Sequence, residues 1–130
     1  MRVYVAGTWE YRVFVRELMN VLERAGHEIA VDWTRHVPAS EASSYAEEDM
    51  LGVKTCEAFV LVDPKTPSKG KFTELGMAIA WNKRIAILLD DQHDIDCLGV
   101  FGHLKGRFMF ARSFHSVLEV LEDWENANKS

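Results

Sequence analysis

The chain has 130 residues, enough for one domain and too few for two comfortable ones. With 48% apolar and 27% charged residues it reads as an ordinary globule able to bury a single core. A net charge of −5 without any clustered run of Lys or Arg argues against long nucleic acid as a partner, because such binding depends on grouped cations that neutralise phosphates.

Apolar runs alternate with segments of helical period, the pattern of a parallel sheet wrapped by helices. A first strand is predicted over Val3 to Ala6, ending at Gly7. A helix follows from Tyr11 to Ala25, with Phe14, Leu18, Val21, Leu22 and Ala25 on one face and Gly26 as its C-terminal stop. Ile29 to Trp33 is predicted as a second strand. Pro38, Ser40, Ser43 and Ser44 mark a loop entering a second helix that runs to about Cys56. Phe59 to Val62 is short and continuously apolar, as a strand buried on both faces should be. A Pro- and Gly-containing loop from Asp63 to Gly70 leads to a third helix over Phe72 to Trp81, then a fourth strand over Arg84 to Leu89. An irregular stretch spans Asp90 to Lys105, and a fifth strand centres on Arg107 to Phe110. The last helix carries Phe114, Val117, Leu118, Leu121 and Trp124 at core spacing, with fraying expected from Asn126. Five strands with intervening helices predict a single flavodoxin-like or Rossmann-like three-layer α/β sandwich with a five-stranded parallel sheet.

Two cysteines, Cys56 and Cys97, show no C-x-x-C spacing and read as reduced thiols. The first apolar run is too short for a signal peptide or a membrane span. Together these lead to an expected cytoplasmic location and no membrane partner.

Ligands of such sheets bind outside the carboxyl ends of the strands. Those ends are Gly7-Thr8-Trp9, the Asp32-Trp33 region, Asp63 with its loop, and the loop that starts at Asp90. Glu74 is predicted in the first turn of the third helix, where exposed amides and the helix dipole favour an ionised carboxylate. An acid there also serves simply to stabilise a helix. Asp49 falls on the apolar stripe of the second helix with Ala42, Tyr45, Ala46, Val53 and Cys56, where a carboxylate is costly unless it is paired or used. Together Glu74 and Asp49 suggest a two-carboxylate scheme in which one acid attacks and the other handles protons. Asp63 can join them or act as a turn former before Pro64. Ser68, Lys69 and Lys71 flank Gly70 and offer a phosphate cradle. The acidic group of Asp90, Asp91, Asp94 and Asp96, with His93, lacks the spacing of a calcium loop and reads as a solvated segment. No metal site and no organic cofactor are expected, and G-x-G-x-x-G and P-loop motifs are absent.

These residues resemble the nucleoside 2-deoxyribosyltransferase superfamily, which includes nucleotide 5′-monophosphate N-glycosidases. The resemblance runs from Arg2 to about Leu89, through Val3-Tyr4-Val5-Ala6-Gly7, Ala25-Gly26-His27-Glu28 with Asp32-Trp33-Thr34, Glu48-Asp49 to Gly52-Val53, and Ala58 to Val62. Its most specific part is Gly70-Lys71-Phe72-Thr73-Glu74-Leu75-Gly76-Met77-Ala78, a glycine four positions before a glutamate followed by Leu-Gly-x-Ala. The resemblance implies N-glycosyl transfer or cleavage on a nucleoside or nucleotide. Glu74 would be the nucleophile, Tyr4 would orient it, and Asp49 would bind substrate or supply the proton to the leaving base. Gly7, Thr8, Trp9, Asp63, Ser68 and Gly70 would line the substrate site, with Ser68 near the sugar 5′ position. Gly76 and Ala78 would let the third helix pack closely on the sheet. Trp9, Trp33 and Phe72 are available to stack on a base. The resemblance also implies a homo-oligomer, dimer or higher. The rival expectation is a non-catalytic module that binds a nucleotide signal on the same fold.

Overall fold

A computed structural model describes residues 1–36, 42–104 and 106–129, with the backbone alone for 42–44, 92 and 93. The loop expected around Pro38 and Ser40, the side chains of Ala42, Ser43 and Ser44, and the Lys105 boundary lie outside the described residues.

Strands β1 (Arg2–Ala6), β2 (Glu28–Ile29), β3 (Ala58–Val62), β4 (Arg84–Leu88) and β5 (Phe108–Ala111) form one all-parallel sheet in the order β2-β1-β3-β4-β5. Four helices connect or follow them: α1 (Arg12–Arg24), α2 (Ala42–Thr55), α3 (Lys69–Ala80) and α4 (Phe114–Lys129). The strand order reverses at β1, so right-handed crossovers carry α1 to one face and α2 and α3 to the other. In keeping with this, α1 packs beside α4 and α2 beside α3. The three-layer sandwich expected from the sequence is the fold observed. β3 is buried at every position, which explains why its five residues are uniformly apolar.

Three elements differ from the sequence expectation. The second strand is only two residues long, because the chain turns at Asp32 into a 3-10 turn over Trp33–Arg35. Asp32 accepts from the Thr34 amide, Arg16 of α1 binds the Thr34 hydroxyl at 3.1 Å and its carbonyl at 2.8 Å, and the Trp33 indole donates to the Val5 carbonyl at 2.6 Å. These bonds satisfy the segment without a sheet partner. Helix α3 starts three residues earlier than expected, with Ser68 as its N-cap accepting from the Lys71 amide at 3.3 Å. Helix α4 continues through Lys129 instead of fraying at Asn126. Glu125 in its penultimate turn lies 3.2 Å from His27 Nδ1 and 3.5 Å from the Met1 amine, which ties that end to the sheet edge.

Gly26, with φ of 95°, ends α1 as expected. Gly52 serves close packing instead, since a Cβ there would lie 2.6 Å from Val31 Cγ2 and 3.1 Å from the Tyr4 ring, so α2 sits directly against β1. Gly76 does not perform the close packing expected of it, because a Cβ there meets nothing within 4 Å; Ala78, fully buried, makes that contact. The two glycines should therefore respond oppositely to alanine. Gly52→Ala is expected to lower stability by about 1–3 kcal/mol through overpacking, and Gly76→Ala to raise it by about 0.5–1 kcal/mol through helix propensity. Urea midpoints at constant m-value check both signs.

Candidate functional site

The reversal of strand order at β1 and β3 leaves a crevice at their carboxyl ends, where the following loops diverge. A cleft of about 320 Å³ occupies this place, lined by Gly7, Trp9, Trp33, His36, Tyr45, Asp49, Ser68, Gly70, Lys71 and Glu74. β1 presents Tyr4 toward α2 and α3, its ring stacked on the in-register neighbour Phe59 with centroids 5.7 Å apart. Tyr4 is fully buried, and its hydroxyl donates to Glu74 Oε2.

Glu74 is not in the first turn of its helix. With α3 starting at Lys69, it lies in the second turn, and no acidic residue occupies the first. The helix start therefore does not hold the carboxylate ionised as the sequence suggested. Burial dominates and pushes Glu74 up to about 7; the Tyr4 hydrogen bond opposes that shift and the nearby Asp49 charge adds to it. Burial likewise pushes Asp49 up to about 6, offset in part by His36 and reinforced by Glu48. Asp49 Oδ1 is buried with no hydrogen-bond partner among the described residues. An acceptor left open in this way, one helical turn from the cleft-lining Tyr45, is available to a ligand. Burial and the two carboxylates raise the Tyr4 hydroxyl far above its ordinary value, so it stays a donor.

The six expected residues Gly7, Trp9, Asp49, Ser68, Gly70 and Glu74 come together on the cleft wall, and Tyr4 stands directly behind Glu74. Ser68 both caps α3 and faces the cleft. Trp33 lines the cleft, whereas Phe72 lines an apolar groove with Leu75, Ile79 and Leu98. Thr8 and Asp63 are not brought to the cleft; they line a neighbouring cavity with Thr66 and Asp90. Asp63 has φ of 53° and donates its amide to the Leu88 carbonyl at 2.8 Å, the geometry of a turn former. Lys71 does not face a phosphate cradle: its ammonium turns inward onto Thr8, Asp63 and Thr66.

Sequence reasoning missed His36 and assigned Tyr45 only to the core stripe. Their rings stack with centroids 3.9 Å apart and form one wall of the cleft. No local motif marks this pair, because His36 belongs to the 3-10 exit and Tyr45 to α2. Among the described residues no group of three His, Cys, Asp or Glu could hold a metal ion. No helix among them is long and apolar enough to cross a membrane.

A crevice at a topological switch point, with two protonatable carboxylates and several aromatic rings, has the size and lining that suit a small ligand carrying a flat ring. The profile of the nucleoside 2-deoxyribosyltransferase family matches residues 3–121, and the chain belongs to that family. Membership places it among enzymes that transfer or cleave N-glycosyl bonds of nucleosides and nucleotides. The fold is shared with the CMP N-glycosidase BcmB of Clostridium botulinum, at a TM-score of 0.67 and 23% identity, over 95% of this chain and 99% of that one. No curated protein sequence matches the chain.

Folding favours the protonated form of Glu74, since its value rises from 4.5 to about 7. Its contribution is intact below the unfolded value and is lost as pH rises through about 7. Glu74→Gln, which keeps the shape of the protonated carboxyl, is expected to raise stability above pH 7 by on the order of 3 kcal/mol. Near pH 4.5 the two proteins should melt together, which a melting-temperature series across pH reads directly.

Proposed function

We propose that the protein breaks the N-glycosidic bond of a nucleoside or nucleotide through a covalent glycosyl-Glu74 intermediate. The observation that carries this reading is the Tyr4–Glu74 bond beside Asp49 on the wall of one cleft. Tyr4 occupies Oε2 and leaves the other carboxylate oxygen of Glu74 for attack on C1′. As the bond from C1′ to the base nitrogen breaks, its electron pair leaves with the base, and protonated Asp49 supplies the proton. Water attacking C1′ then releases the sugar and completes a hydrolysis, whereas a second base nitrogen completes a transfer. Trp9, Trp33 and the His36–Tyr45 stack offer flat faces to the base. Ser68 and Gly70, at the start of α3, are placed for the sugar 5′ substituent. The structural relative acts on CMP, so pyrimidine 5′-monophosphates lead the substrate panel. We place the protein in the cytoplasm and extend the proposal to a homo-oligomer that completes the site.

The carboxylates titrate as a pair with values of about 6 and about 7. The productive state has one proton, on Asp49 and not on Glu74. This is the less populated arrangement of the singly protonated pair, and kcat/KM is still expected to peak between those values and fall on either side. Base release from a panel of nucleosides and 5′-monophosphates, with and without a second base, tests the reaction. Glu74→Gln is expected to reduce release by at least about 1,000-fold. Tyr4→Phe, which removes one hydrogen bond to a charged group, should reduce it about 10- to 100-fold. Tight nucleotide binding without release from any substrate would show a binding module, and release that survives Glu74→Gln would refute the nucleophile.

A further inference from the structure

Lys71 is a feature of the site that the proposed chemistry does not use. It is 1% exposed, yet among the described residues no carboxylate oxygen forms a direct ion pair with its ammonium. Its ammonium donates to three neutral oxygens: the Asp63 carbonyl at 2.6 Å, the Thr66 hydroxyl at 2.6 Å and the Thr8 hydroxyl at 3.1 Å. Its own amide donates to Ser68 Oγ. One residue of α3 thus holds the loop after β1, through Thr8, and the loop after β3, through Asp63 and Thr66. Thr8 lies between Gly7 and Trp9, and Ser68 caps the helix that carries Glu74, so both sides of the cleft converge on this lysine, Thr8 at its ammonium and Ser68 at its backbone amide. The cluster also forms the partition between the cleft and the neighbouring cavity lined by Thr8, Asp63 and Thr66.

Folding does not depend on these bonds in an obvious way. Thr8 and Thr66 pair their hydroxyls at 2.8 Å, and Thr66 Oγ1 also donates to the Asp63 carbonyl at 3.0 Å. The oxygens would keep partners without the lysine. A buried cation whose ammonium bonds only neutral oxygens is costly even with the Asp63 charge nearby, so its retention calls for a role beyond packing.

We propose that Lys71 is a positioning residue that locks the two loops to α3 and so fixes the cleft wall against Glu74. The inference rests on the glycosyl-transfer reading for its kinetic consequence, though not for its structural one. Burial lowers the ammonium to about 8, against the favourable influence of the Asp63 carboxylate at the tip of β3 and of Cys97 in the 92–103 segment. The lock should therefore release as the ammonium loses its proton above that pH.

The test combines side-chain NMR with kinetics on the wild type, Lys71→Met and Thr66→Val. In the wild type the Thr8 and Thr66 methyl resonances are expected to titrate together with the Lys71 ε-methylene near pH 8, and in Lys71→Met to stay flat. Lys71→Met is expected to lose about tenfold or more in base release, carried by kcat rather than KM. Thr66→Val, a gentler change, should shift in the same direction by less. Methyl resonances that do not follow Lys71 would overturn the lock whatever the activity. Unchanged kcat and KM in a folded Lys71→Met would overturn the positioning role. Absence of base release in the wild type would count against the glycosyl-transfer reading alone, while the methyl titration would still decide whether Lys71 holds the loops.

Discussion

The hydrogen bond from the Tyr4 hydroxyl to the Glu74 carboxyl joins the centre of the sheet to the helix that carries this acid. Tyr4 lies on β1, the strand at which the sheet order reverses, and it is fully buried. Gly52 lets α2 approach the Tyr4 ring, Phe59 stacks on that ring, and Glu74 meets its hydroxyl. The position of one phenol therefore sets the spacing between α2, with Asp49, and α3, with Glu74.

The same arrangement sets the electrostatics. Burial makes both acids hold their protons toward neutral pH, and the tyrosine hydrogen bond draws Glu74 back toward ionisation. Both acids thus titrate near neutral pH, and Glu74 holds its proton more tightly than Asp49, so the proposed roles need the proton in its less populated place. The open oxygen of Asp49 and the tension in Glu74 are unfavourable for folding alone. Their presence at the mouth of a switch-point crevice is what makes a functional explanation stronger than a structural one.

Much of this was legible in the sequence. The buried strands announced themselves as short apolar runs, and the stripe of α2 exposed Asp49 as a misplaced charge. The motif around Glu74 identified the family that the profile match then established. What failed was local. Ile29 to Trp33 reads as a strand by composition, but the strand ends at Ile29, and Asp32 capping and the Trp33 bond to Val5 turn the chain away. The start of α3 was hidden because Gly70 looked like a loop residue, whereas Ser68 begins the helix before it. That error put Glu74 in the first turn and made its charge state look settled by the helix dipole. His36 and Tyr45 could not be paired from spacing, since their stack forms only when α2 folds back over the 3-10 exit. Thr8 and Asp63 looked like ligand contacts because they follow strands, yet the Thr8 hydroxyl is bonded to Thr66 and Lys71 and the Asp63 carbonyl to Lys71 and Thr66.

The central claim is that the carboxylate held by Tyr4 makes a covalent bond to the sugar. A nucleotide substrate fluorinated at the sugar 2′ carbon slows breakdown of such an intermediate, because the fluorine destabilises the positive charge that develops at C1′. Peptide mass analysis after incubation with that compound should find one fluorinated sugar on the peptide containing Glu74 and none in the Glu74→Gln protein. Base release that proceeds while the Glu74 peptide stays unmodified, or an adduct mapped to another residue, would contradict it.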